Sequence, residues 1–256
     1  MSSRYMLNHL GAASEHTSGY ERSKFTHWVD ANGDGCDARD EVLIAEAVTQ
    51  PRVTGECELV GGAWRSRYDG ARTTNPSGFD IDHMVPLNEA WQSGAWNWSP
   101  ATRRAFANDL GYRASLIAVT ASSNRSKSDR EPNDWMPDRA RYACTYTKSW
   151  VAVKWRWRLN VNGAERRFLA NQLADCGWPQ VPKPGRPAIT TGSTGSGTAP
   201  TPTPTQTETS GRQTVGYAVW PGAFCDEKGW YGYTSAGTLM RCKTSATDSR
   251  YRWRSA

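Results

Sequence analysis

The sequence has no apolar run long enough to cross a membrane as a helix, so nothing in it reads as a span. Met1 to Glu15 lacks the apolar core of a secretory leader. None of the six cysteines sits in a C-x-x-C pair, which argues against a zinc site. Histidine is scarce: His9, His16, His27 and His83 are all there are, so imidazole chemistry has few places to sit. Apolar residues make up only 38% of the chain, but 13 tryptophans can supply core volume that the aliphatic residues do not.

A formal net charge of +6 favours polyanionic partners, nucleic acid among them. An even cysteine count, spread widely, points to disulfides and an oxidising compartment. Pairing each cysteine with its neighbour gives Cys36 with Cys57, Cys144 with Cys176 and Cys225 with Cys242, one of many possible connectivities. The cysteines make the expected location extracellular, although no leader is visible; the sequence would then start downstream of one.

Residues 181–213 are rich in Pro, Thr, Ser and Gly, with a Pro-Thr alternation from Thr198 to Thr205. Such a segment cannot bury enough apolar surface to fold and reads as an extended linker. It divides the chain into a poorly ordered N-terminal segment, 1–19, a large domain, 20–180, and a small C-terminal module, 214–256. The module is too short for a full core and needs its disulfide. Its role is unassigned, although Arg250 to Arg254 interleaves basic and aromatic residues in a way that suits stacking on single strands.

Within the large domain the fold class is α+β. Helices are expected over 20–28, 39–48, 99–110, 146–159 and 164–173, a hairpin over 57–68, and strands over 79–85 and 115–120. Ser99-Pro100 is a good helix start. Ser122 or Ser123 should cap a short helix carrying Asn124. Trp150, Val153 and Trp157 fall at helical spacing and read as core rather than as a stacking surface.

The chemistry concentrates in two segments. Phe79 to Leu87, F-D-I-D-H-M-V-P-L, alternates like a strand and puts a carboxylate beside an imidazole. Ser123 to Asp129, S-N-R-S-K-S-D, sets basic residues around an asparagine. Metal-assisted attack on a phosphodiester needs a hard oxygen ligand, a base for water, and cations for phosphate. His83 is the candidate base and Asp82 the candidate metal ligand. Asp80, on the same strand face, is a candidate supporting group. Asn124 offers an amide oxygen. Arg125 and Lys127 are candidate phosphate donors.

These two segments resemble the HNH, or ββα-metal, nuclease motif, and most of all the HNH domain of CRISPR effector nucleases. Further stretches, including His27 to Asp30, Gly61-Gly62-x-Trp64 and Glu89-Ala90-Trp91, are similar to secreted actinobacterial HNH nucleases related to the GmrSD-type C-terminal nuclease domain. The likeness covers about residues 20–178. It implies an extracellular, metal-dependent, non-specific endonuclease acting on DNA and possibly RNA. The ion would be Mg²⁺ or Mn²⁺ on Asp82 and Asn124, and the product would carry a 5′ phosphate. A monomer is expected. The middle asparagine of HNH is missing from its usual place; Ser115 and Asn108 are the candidates for its role.

One more metal pattern stands apart. Asp30, Asn32, Asp34, the Cys36 carbonyl and Glu41 fit a calcium loop of the EF-hand type, with Gly35 at its turn. The rival to the enzyme is therefore a calcium-dependent cell-surface protein, or a nucleic-acid binder, without nuclease activity.

Overall fold

The computed structural model describes residues 1–192, 228–229, 231–233, 238–245 and 248–256. The chain divides into two compact units, Met1–Gly192 and Ser193–Ala256. No described helix is long and apolar enough to cross a membrane.

The first unit mixes helices with short antiparallel strand pairs, as an α+β chain should. Its helices are α1 (Ser3–Asn8), α2 (Ala38–Glu46), α3 (Leu87–Gln92), α4 (Pro100–Ala107), α5 (Ala121–Lys127), α6 (Ala143–Trp157) and α7 (Gly163–Asp175). Its strands are β1 (Arg52–Thr54), β2 (Glu58–Val60), β3 (Trp64–Arg65), β4 (Arg72–Thr73), β5 (Phe79–His83) and β6 (Leu116–Thr120), paired β1 with β2, β3 with β4, and β5 with β6.

The β5–β6 pair places the site. Its register sets Asp80 opposite Val119 and Asp82 opposite Ile117. Side chains alternate across a strand, so Phe79 and Ile81 face one way, into an apolar cluster with Val42, Leu43, Trp64, Leu116 and Ala118. Ile117 and Val119 join the larger core on the other face, together with Trp150, Val153 and Trp157 of α6. Burial of those tryptophans agrees with the core reading. Asp80 and Asp82 share that second face with α5, which starts where β6 ends.

Several expected elements form differently. Residues 1–19 are not loose: Ser2 caps α1 by accepting from the Tyr5 N–H, and Met6, Leu7 and Leu10 are buried. Residues 20–28 make only a single turn, Arg22–Lys24, because Trp28 takes φ +59, outside any right-handed helix. Residues 57–68 contribute to two hairpins instead of one. Gly61 and Gly62, both at positive φ, separate β2 from β3. α5 is capped by Thr120 rather than Ser122 or Ser123. The expected linker begins later than 181. Val181 is buried, Ser99 N–H donates to Thr190 O at 2.8 Å, and Gly192 N–H donates to Asn97 O at 2.9 Å. Its Pro-Thr core, Thr198 to Thr205, lies outside the described residues.

Two disulfides join Cys36 to Cys57 and Cys144 to Cys176, the neighbour pairing. Cys242 is disulfide-bonded too; Cys225 lies outside the described residues. In the second unit β7 (Tyr231–Tyr233), β8 (Leu239–Ser245) and β9 (Asp248–Ser255) form an antiparallel sheet in that order. Trp253 pairs in register with Cys242 and is buried, so it is core rather than a stacking surface.

Candidate active site

α5 lays its inner face over β5, and two contacts join them. Asn124 Nδ2 donates to Asp80 Oδ2 at 3.1 Å. One helical turn later, the Lys127 ammonium donates to Asp82 Oδ1 at 2.8 Å and Oδ2 at 2.6 Å, and to the His83 carbonyl at 2.7 Å. The spacing explains the match: residues three apart on a helix and two apart on a strand each share a face. Tyr68 closes the cluster, its hydroxyl donating to Asp82 Oδ2 at 2.5 Å. Burial pushes the Asp82 carboxyl up and the Lys127 ammonium down, each opposed by the charge of the other.

This arrangement gives two expected residues different surroundings. Lys127 is 0% exposed, with its ammonium spent on Asp82 and the His83 carbonyl, so it cannot meet a phosphate without leaving that pair. The motif does not reveal this, because a lysine beside an asparagine looks like surface until the helix is docked. Asp82 has both oxygens engaged, whereas Asp80 and Asn124 are half-buried and lie against each other. Arg125 is exposed at the same helix end.

His83 ends β5 on the opposite face. Its Nε2 lies 2.9 Å from the Ala107 carbonyl, which can only accept. Nε2 therefore carries the proton, and Nδ1 is left as a lone pair. Burial drives the imidazole down to about 3, helped by the positive charge of Arg22, so the ring is neutral at physiological pH. The ring is stacked against Trp28 and Phe106, at 5.7 and 6.4 Å between centroids, with His27 at 6.4 Å. Arg22 Nη2 lies 3.3 Å from His27 Nε2.

Asn108 holds this side of the site. Its Oδ1 accepts from Val29 N–H at 3.0 Å, and its Nδ2 donates to the Thr26 and Arg104 carbonyls, both at 2.8 Å. It thereby staples the segment carrying His27 and Trp28 to the end of α4. Ser115 does something else: its hydroxyl donates to Asp109 Oδ2 at 2.6 Å, and Asp109 also receives Arg156 and Trp157. Tyr68, Arg22 and Trp28 were missed in the sequence because they lie far from both motif segments and only the fold brings them in.

Two other acidic groups need placing. In the Asp30–Glu41 loop the Asp30 carboxylate accepts from Gly33 N–H at 2.7 Å, Asp34 N–H at 3.3 Å and Gly35 N–H at 2.9 Å. Asp37 forms a capping box with Asp40 at the start of α2. Elsewhere, Glu15, Glu89 and Glu131 bring carboxylate oxygens within 4.8 Å of one another.

Residues 49–172 match the C-terminal domain of the GmrSD restriction endonucleases. Over 158 residues the chain is 44% identical to an uncharacterized secreted protein of Arthroderma benhamiae, an alignment spanning 62% of this chain and 76% of that protein. The chain belongs to the family of that fungal protein. Its relation to the GmrSD nuclease domain agrees with the motif reading, and a nucleic-acid substrate follows from that relation. The relative is fungal, where an actinobacterial one was expected. No solved structure matches the chain. Within this family the site residues fall inside the matched domain, except Arg22, His27 and Trp28, which precede it.

Proposed function

We propose that the chain is an extracellular, metal-dependent endonuclease of the HNH type, hydrolysing phosphodiester bonds of DNA and possibly RNA. The observation that carries this is the state of His83. Its imidazole is neutral, its orientation is fixed by the Ala107 carbonyl, and its Nδ1 lone pair is left to take a proton. A general base needs that combination of geometry and protonation. The extracellular location is supported by the disulfides and by the secreted relative.

The donor set suits a hard divalent cation such as Mg²⁺ or Mn²⁺ in part. Asp80 and Asn124 bring a carboxylate and an amide together, half-exposed, and hard oxygen donors are what such ions take. Asp82 could add an oxygen only where Lys127 or Tyr68 now donates. When bound, the ion would stabilise negative charge developing on the phosphate and its leaving oxygen. The chain's own residues do the rest. His83 Nδ1 takes the proton of the attacking water. Arg125, on the exposed end of α5, and Arg22, beside His27, hold phosphate oxygens. Lys127 positions rather than binds: it fixes Asp82 and the His83 carbonyl as one rigid unit. Asn108 takes the part of the middle HNH asparagine by holding the 26–29 segment against His83.

The test is nicking of supercoiled plasmid by wild type and His83→Ala, in EDTA and with Mg²⁺, Mn²⁺ or Ca²⁺. Wild type should cut only with metal, and the variant should lose about 10²–10⁴-fold in rate. A folded wild type that cuts with no metal, or a variant that cuts equally well, would overturn the proposal.

A further inference from the structure

The β3–β4 hairpin sets Arg65 directly across from Arg72. Like charges opposed across a strand pair destabilise it. Among the described residues, no carboxylate forms an ion pair with either, or with Arg139 or Arg141. Arg65 and Arg72 line a cavity of about 610 Å³ together with the hydroxyl-bearing Thr49, Thr73 and Thr74. Arg139 closes in from the side. A methyl group on Gly70 would lie 3.7 Å from Arg65 Nη2 and 3.8 Å from Arg139 Nε, so both guanidiniums flank one point. Partial burial and the charges of Arg141, Arg65 and Arg67 hold the Arg139 guanidinium below its ordinary range. Arg67 differs from the others, being paired with Glu46 at 3.1 Å.

Crowded cations without counter-ions cost stability in the free protein, and an anion removes that cost. Guanidiniums and hydroxyls are the donors that phosphate oxygens accept. The cluster is also tied to the active site, since Arg139 N–H donates to the carbonyl of Tyr68, whose hydroxyl holds Asp82.

We propose that Arg65, Arg72 and Arg139 bind a backbone phosphate of the nucleic-acid strand, away from the bond being cut. Naming a nucleic-acid strand rests on the nuclease reading; the anion site itself does not. The site fixes where the strand runs, from the β3–β4 hairpin past Tyr68 towards α5.

The full chain would be tested in EDTA by fluorescence anisotropy with a labelled duplex over a salt series. Wild type, Arg65→Ala/Arg72→Ala, the milder Arg65→Gln/Arg72→Gln, and the exposed-arginine control Arg167→Ala would be compared, with inorganic phosphate titrated by calorimetry in parallel. Each lost phosphate contact lowers the log–log salt slope by roughly 0.9, so either double variant should lose about 1.8 and Arg167→Ala almost nothing. Both double variants should melt no lower than wild type, because an opposed pair of charges has been removed; a merely structural pair would melt lower. Unchanged slopes in both double variants, or the same loss in Arg167→Ala, would overturn the proposal. So would saturable inorganic phosphate binding lost in the variants while duplex binding is unaltered, which would mark a small-anion site instead. Because binding is read without metal, a protein that binds through these arginines and never cuts would sink the nuclease reading and leave this one standing.

Discussion

Asp82 and Lys127 form a fully buried ion pair, and such pairs are unequal to their halves. Taking both charges out of water costs several kcal/mol, which their attraction and added hydrogen bonds roughly offset. Removing one partner leaves the other charge buried alone. Lys127→Met should therefore lower unfolding stability by about 3–5 kcal/mol. Adding Asp82→Asn should recover part of that loss, because the amide needs no counter-charge. Urea unfolding of the two variants beside wild type measures both; a Lys127→Met protein as stable as wild type would show that the pair is not buried in solution. At this scale the sequence was legible in its residue types but not in their partners. Asp80 with Asp82, and Asn124 with Lys127, each share a face by simple periodicity. What periodicity does not contain is the docking register, which gives Asn124 to Asp80 and the ammonium to Asp82. His83 was identifiable beside its carboxylate, but its neutral state comes from Ala107, Phe106 and Trp28, none of them near it in sequence.

Among the elements, those with strong local signals formed near their expected places. Ser99 and Pro100 start α4, and alternation marks β5 and β6. The segment between Tyr20 and Val29 was read as a helix and is a turn and loop, held in shape by a residue 79 positions away. Asn108 is that residue, and its place just past the end of α4 lets its amide reach both the helix carbonyl and the loop. Asn108→Ala should lose these three hydrogen bonds, about 2–3 kcal/mol at roughly 1 kcal/mol each. Its effect on cleavage should be separate: kcat down at least about tenfold with KM little changed, since the loop positions His83's surroundings and makes no proposed substrate contact through Asn108. A variant that is destabilised but keeps wild-type kcat would reduce Asn108 to a purely structural staple.

Across the first unit as a whole, a second polar centre is buried beside the first. Lys154 of α6 donates to Glu89 of α3 and Glu165 of α7, both at 2.7 Å, and Trp150 Nε1 donates to Glu165 at 2.5 Å. Asn162 Nδ2 reaches both Glu131 oxygens, at 2.9 and 3.0 Å, and also Glu15. One ammonium thus faces several carboxylates drawn from separate parts of the chain, an arrangement no local pattern announces. Burial first, then the neighbouring carboxylates, push Glu89 up to about 7 and Glu131 up to about 8. Both groups start from 4.5 when solvated, so between there and about 8 the folded state binds more protons than the unfolded one. Stability from these groups is present in full below their unfolded value and is lost as pH rises through the folded values. His83 acts in the opposite sense, because its folded value of about 3 lies below 6.5: its stabilisation is lost as pH falls below 6.5. Above 6.5 the histidine no longer contributes and the carboxylates alone set the slope. The melting temperature should therefore fall by several degrees between about pH 6.5 and pH 8.5. Glu131→Gln, which keeps an oxygen for Asn162 but cannot ionise, should remove much of that fall. Thermal melts of both proteins across this interval decide it. If the variant keeps the wild-type slope, Glu131 ionises outside this range and the shared proton belongs elsewhere in the cluster.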